Sequence, residues 1–408
     1  MSAEKAPAAE QDPAIRTWPV EDLPGLDYDP LLLQVLAEDP VTRIKLPFGE
    51  GHAWLVTRYD DVKLVTSDPR FKRDLVVDRD VTRSIPAPVA AQRASLQYLD
   101  PPDHTRLRKV VARAFTARSM KRLRPMAEAK AAELLENMAG QGAPADAVEH
   151  LNDPFPQAVV NDLLGVPEEG REVLGALGDQ ILSADDDHER RRQARAAARK
   201  VIVDLLASRR TDPEEDLAGV LAQATDAGEI SEDEAVSLAT AIQISGGHAV
   251  RNNTANMIYA LLTHPEQLAR LRAEPELLPQ AVDELLRYIP HRNGVGIPRI
   301  ATEDVEVGGR TIKAGEVVYN SYVAANRDPA AFPDPHALDI TRPALSHLSF
   351  GHGPHHCLAA ALARMESEVL IAALLGRFPD LRLAVPAEEI EWHTRALIRG
   401  PKALPVAW

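Results

Sequence analysis

Residues able to do chemistry crowd into one stretch, Phe350-Gly351-His352-Gly353-Pro354-His355-His356-Cys357, which runs into an apolar segment with helical spacing. Cys357 is the only cysteine in the chain, so no internal disulfide forms. A thiol just ahead of a helix, expected here to begin at about Leu358, feels unpaired backbone N–H groups and the positive end of the helix dipole. Both favour thiolate over thiol. Gly351 and Gly353 are expected to let the backbone pass close to a bulky planar object, where a side chain would collide. A thiolate axial to haem iron meets these demands and pushes electron density that favours O–O cleavage. Three other roles compete on the residues alone. His347, His352, His355, His356 and Cys357 are candidates for zinc, but structural zinc usually takes two separated ligand pairs and only His347 stands apart here. A buried structural cysteine is the plain alternative. A nucleophilic cysteine needs a paired base that sequence cannot locate.

The elements that must position this loop are mostly helices. Residues 1–30 read as an extended, proline-punctuated arm, and 31–408 as one large domain, mainly α with a minor β region. From Ala53 the pattern is a strand that turns helical. The breaker Pro101-Pro102, with Asp103 as N-cap candidate, opens a helix. Helical patterns then continue from Ala114 to about Arg210, with expected interruptions at Pro154, Pro156, Gly165-Val166-Pro167 and the acidic run 185–187. From Ser231 to Pro265 only Gly246-Gly247 interrupts what would be a helix of about 33 residues, roughly 50 Å long. Two more helices follow, then short strands with turns at Gly308-Gly309 and Ala314-Gly315.

Composition excludes several classes. The chain has 408 residues, 46 Lys+Arg against 61 Asp+Glu, and a formal charge of −15. That balance argues against a general nucleic-acid binder. The first twenty residues lack the basic start and apolar core of a signal peptide, and no run of about eighteen apolar residues occurs. The expectation is a soluble cytoplasmic protein without a membrane anchor.

Phe350, Gly353 and Cys357 resemble the haem-binding signature of cytochromes P450, F-x-x-G-x-x-x-C, of the bacterial, actinobacterial type. Glu284 and Arg287 match the family's E-x-x-R pair, which the resemblance makes a buried structural contact rather than the surface salt bridge such spacing often is. The resemblance implies a haem-thiolate domain over nearly the whole chain, with haem b on Cys357. It also implies that His104, Arg108, Arg299 and His355 meet the haem propionates, four donors for two carboxylates in a closed pocket. Ala359 stands where the family usually has glycine, and it should still allow close helix approach.

The family's distal helix typically carries A-G-x-[DE]-T-T. The matching residues are Ser245, Gly246, Gly247, His248, Ala249 and Val250, so the acid–alcohol proton relay is missing. Gly247, His248 and Ala249 are the catalytic candidates, with the glycines making a kink or distal groove and His248 a substitute proton carrier. This helix is similar to that of bacterial P450s that tailor tryptophan-containing cyclodipeptides (diketopiperazines) by oxidative C–C or C–N coupling, including dimerisation. The resemblance then implies removal of hydrogen or an electron from an indole-bearing substrate and trapping by a second aromatic partner. Alternatives are hydroxylation or epoxidation of a macrolide, terpenoid or peptide, and a non-catalytic haem- or ligand-binding protein. Expected substrate contacts are Gln243, Ile244, Asn293, Val295, Thr394 and Ala396. Further pocket walls are expected from the stretches 75–98 and 164–187. Electrons are expected from ferredoxin and ferredoxin reductase, with Arg106, Lys109 and Arg113 a candidate docking stripe for an acidic partner.

Overall fold

Apolar residues recurring at i, i+3 and i+4, closed by local caps, make most of the chain helical. The computed structural model describes residues 14–18, 22–84, 95–182, 188–291, 295–343, 346–394 and 398–408. Among the described residues the helices are α1 (Pro30–Glu38), α2 (Tyr59–Ser67), α3 (Asp103–Val111), α4 (Ala117–Gln141), α5 (Pro154–Leu164), α6 (Glu168–Leu182), α7 (His188–Thr211), α8 (Leu217–Asp226), α9 (Glu232–Thr263), α10 (Pro265–Ala273), α11 (Leu278–Tyr288), α12 (Tyr322–Ala325) and α13 (Ala360–Arg377). The strands are β1 (Arg16–Thr17), β2 (Val41–Lys45), β3 (Ala53–Val56), β4 (Phe71–Lys72), β5 (Ala145–Asp146), β6 (Arg299–Ala301), β7 (Val305–Val307), β8 (Arg310–Ile312), β9 (Val317–Asn320), β10 (Arg382–Leu383) and β11 (Pro405–Ala407).

Six strands form one mixed sheet in the order β1-β2-β3-β9-β6-β4. β3 and β9 run parallel with Trp54 opposite Val318, and β6 pairs antiparallel to β9 with Arg299 opposite Val318. The described part of the expected N-terminal arm joins this sheet, because β1 pairs with β2 and Trp18 is buried beneath it. Helices α4, α5, α9 and α13 share a core in which Leu135, Phe155, Ile258 and Leu370 meet. That shared core fixes α9 relative to α13, the helix that follows the cysteine loop.

The mainly-α fold with a minor β region is as expected, including the 32 residues of α9. Ser231 caps α9 with a reciprocal Ser231–Glu234 capping box, which satisfies two otherwise orphaned N–H groups. Local boundaries differ in places. Asp103 is the first helical residue of α3, with Pro102 at the N-cap. Pro154 opens α5, whereas Pro125 sits inside α4 without ending it. The break that separates α4 from α5 is at Gly142, whose φ of 85° ends the helix. The expected break at 185–187 lies outside the described residues.

Candidate active site

The cysteine loop closes on itself. The Cys357 N–H donates to the Phe350 carbonyl at 2.7 Å, and the His356 N–H to the Gly353 carbonyl at 3.0 Å. Gly351 and Gly353 have φ of 75° and 72°, the left-handed region that favours glycine. A Cβ on Gly353 would also overlap the carbonyl oxygen of Thr66 near the end of α2. The turn favours glycine at both positions, and at Gly353 its seat on α2 does so as well. α13 begins at Ala360, two residues later than expected, with Ala359 at its N-cap at φ −90° and no side-chain cap. Alanine fits that backbone without strain, and the first N–H groups of α13 are left for a nearby anion. The histidines of the loop diverge. His347 Nε2 lies 3.3 Å from Asp283 Oδ1, and His352 Nδ1 lies 3.2 Å from the Thr66 hydroxyl. Among the described residues no three His, Cys, Asp or Glu side chains are grouped to hold a metal ion, so a zinc site has no ligand set.

Behind the loop, five cationic or donor groups from four separate segments converge. The His104 ring, on α3, is 4.2 Å from that of His355. Arg299, on β6, donates from Nη1 to Asn320 Oδ1 at 2.8 Å, and its buried Nη2 has no partner. His355 Nε2 is likewise buried and unpaired. Arg108 donates to the His356 carbonyl at 2.6 Å and feels the charge of Cys357. The fifth member, Arg73, follows β4. It donates to the Gln97 carbonyl at 2.9 Å, while its buried Nε has no partner. Burial, then Arg73, His104, Arg299 and Arg108, pushes His355 down to about 2. Burial, then Arg108 and Arg73, lowers His104 to about 4, and burial with Arg299 lowers Arg73 to about 9. Asp100 acts from the edge, its Oδ2 accepting from the backbone N–H groups of Arg73 and Asp74 at 2.7 and 2.9 Å. Buried donors without acceptors are costly, and this set fits the two carboxylates of a haem. Arg73 was not among the expected contacts. It lies in no recognisable motif, and only the fold brings it beside Arg299.

The expected pair Glu284–Arg287 is fully buried on α11. Arg287 donates from Nε and Nη2 to the two carboxylate oxygens at 2.8 and 2.7 Å. It also donates to the carbonyls of Asn326, Pro335 and Ala337 at 2.8–3.0 Å. The pair thus pins the segment leading to the cysteine loop.

α9 runs helical through Gly246-Gly247. A Cβ on Gly246 would sit 2.8 Å from Val160 Cγ2, and one on Gly247 would overlap Gln157 Oε1. The glycine pair lets α5 approach. Gln243 belongs to the same contact. It is buried and donates to Asn161 Oδ1 at 3.0 Å, which removes it from the expected substrate contacts. The accessible stripe of α9 lies beside this contact. Ser245 is exposed there, and Ile244, His248 and Ala249 are half-buried, while Gln243, Gly247 and Val250 are buried. Val295 also leaves the expected set, because it packs in the core with Trp18 and Tyr319. Thr394 is exposed. Asn293 and Ala396 lie outside the described residues.

Comparison with known proteins decides what this arrangement is. The family profile "Cytochrome P450" matches residues 182–391. Biflaviolin synthase CYP158A1 of Streptomyces coelicolor is 47% identical over 396 residues, 97% of each chain. The chain belongs to the cytochrome P450 family. Mycinamicin IV hydroxylase/epoxidase of Micromonospora griseorubida is 41% identical over 96% of this P450 and 98% of its own length. The crystal structure of cytochrome P450mel 107F1, described as having biaryl coupling reactivity, superposes with a TM-score of 0.90 at 44% identity, covering 97% of this chain and 100% of that one.

This P450 is therefore an oxidoreductase of secondary metabolism that uses haem b, and the donor set around His355 fits that group. Bacterial P450s take electrons from ferredoxin and ferredoxin reductase and act on small molecules. The stripe expected to dock the electron donor is not an open basic patch. Arg106 pairs with Glu234 at 2.6 Å and Arg113 with Glu229 at 2.5 Å. Among the described residues no helix is long and apolar enough to cross a membrane.

Proposed function

We propose that this P450 joins two aromatic molecules oxidatively through a C–C or C–N bond, without inserting oxygen, and that tryptophan-containing cyclodipeptides are its substrates. The observation that carries the reading is the accessible stripe of α9, where His248 and Ala249 stand side by side between Ser245 and Asn252. Alanine donates no hydrogen bond, so positions 248 and 249 hold no acid–alcohol pair, and an imidazole is the proton-exchanging group in its place. The relatives named for biflaviolin synthesis and for biaryl coupling support the same direction.

When bound, haem supplies a one-electron oxidant from dioxygen and two reducing electrons. Cys357 would hold the haem iron as a thiolate, with its own N–H donating to the Phe350 carbonyl. Arg73, His104, Arg108, Arg299 and His355 would hold the carboxylates. His248 would accept or return a proton at a ring nitrogen. Overall, two substrate hydrogens, one dioxygen, two electrons and two protons become the new bond and two waters.

Optical titration of the ferric protein tests the substrate class. A low- to high-spin Soret shift is expected with cyclodipeptides that contain tryptophan. A shift only with macrolides or terpenoids would overturn that class and favour oxygen insertion.

A further inference from the structure

One face of α9, beginning a turn beyond His248, receives residues 398–400 and the turn around Gly25. Asn252, about 6 Å along the axis from His248, donates from Nδ2 to the Ile398 carbonyl at 3.1 Å. Asn256, four residues on and fully buried, donates to the Arg399 carbonyl at 2.9 Å. Gly400 is pressed against this face, since a Cβ there would lie 2.7 Å from Asn252 Cγ. Residues 398–402 form the return limb of a hairpin. Trp392 bridges Pro401, and the N–H groups of His393 and Lys402 donate to the carbonyls of Gly400 and Glu391 at 3.0 and 2.8 Å.

The same limb reaches the start of the chain. Arg399 is buried, and its guanidinium donates to the carbonyls of Asp27, Leu23 and Gly25 at 2.7, 3.0 and 2.5 Å. Gly25 in turn abuts Tyr259 of α9, at 3.2 Å from the hydroxyl to a Cβ position. Tyr259 meets Trp392 edge to face at 5.2 Å. Asn252, Asn256 and Tyr259 lie at i, i+4 and i+7, so one helical stripe seats the hairpin and the N-terminal turn together.

We propose that Asn252, Asn256 and Arg399 are positioning residues that fix the 398–402 limb on α9 and so set how much room a bulky substrate has beside His248. The stripe continues the face that carries His248 and Ala249, and Thr394 stands exposed on the outgoing limb. The two amide donors reach backbone carbonyls, so they hold the limb whatever its side chains are. Arg399 couples that hold to residues 23–27. The inference rests on the haem-side reading of the α9 stripe and is independent of which product forms.

The test uses the ferric holoenzyme and two nitrogen ligands of different size, imidazole and 4-phenylimidazole, read by their Soret shifts. Hydrogen exchange at 398–400 and 23–27 is followed in parallel. In Asn252→Ala and Gly400→Ala, loss of about one hydrogen bond's worth of restraint is expected to weaken 4-phenylimidazole about fivefold and to leave imidazole within about twofold. Exchange at 398–400 is expected to quicken in both. Arg399→Lys, which keeps the charge but not the fork, is expected to quicken exchange at 23–27 as well. Unchanged exchange in the Asn252 and Gly400 variants would overturn the latch. Quickened exchange with a wild-type ratio of the two affinities would overturn its role in substrate fit. If neither ligand shifted the wild-type spectrum, the haem-side reading itself would fail.

Discussion

His104 and His355, 4.2 Å apart among three arginines, stay neutral in the haem-free protein, and this has a consequence for acid stability. The folded value of His104 is about 4 against an ordinary 6.5, so between those values the unfolded chain binds more protons than the folded one. Stability contributed by the neutral ring is then present above about 6.5 and lost as pH falls toward 4. Urea unfolding of the haem-free protein should show a loss of roughly 2 kcal/mol between pH 7 and 5 from this group, reduced in His104→Asn. Haem carboxylates would raise both histidines, so the holoenzyme should be less acid-sensitive over the same range. Arg73 gives a second outcome. With a buried Nε lacking a partner, it should hold a propionate, and Arg73→Gln should speed haem transfer to apomyoglobin by about tenfold or more. A wild-type transfer rate would remove Arg73 from the cradle. Four of the five cradle residues were readable because each sits in a short family motif. Arg73 was not, because its neighbours Arg299, Gln97 and Asp100 come from distant stretches of chain.

The helices show both the reach and the limit of pattern reading. The length of α9 follows directly from the sequence, whereas its Ser231 cap emerges from the structure. What packs on each face does not, because periodicity says which residues share a face and not what meets it. Gln243 and the glycine pair looked like pocket residues and instead meet Asn161, Val160 and Gln157 of α5. Gly247→Ala should therefore destabilise the fold through overpacking by about 1–3 kcal/mol, read as a lower melting temperature. Gln157→Ala in the same chain should restore most of the loss. Failure of that rescue would return Gly247 to a role on the accessible face. At the stripe Arg106, Lys109, Arg113 the pattern likewise did not show that Glu234, at the start of α9, and Glu229, in the turn before it, pair with two of the three cations.

At the scale of the molecule, the sheet and the four-helix core hold the cysteine loop and the distal stripe at fixed positions. The sequence suggests an extended N-terminal arm, and within it Trp18 and the 23–27 turn are built into the sheet and onto Arg399, contacts with no local signature. We propose that Ala249, which lacks a hydroxyl, belongs to an enzyme that couples aromatics rather than oxygenating them. The most direct measurement is turnover of a tryptophan-containing cyclodipeptide under oxygen-18 dioxygen with ferredoxin and its reductase. The predicted result is a product of two joined substrates, lighter by two hydrogens and carrying no label. A monomeric product carrying one labelled oxygen would contradict it.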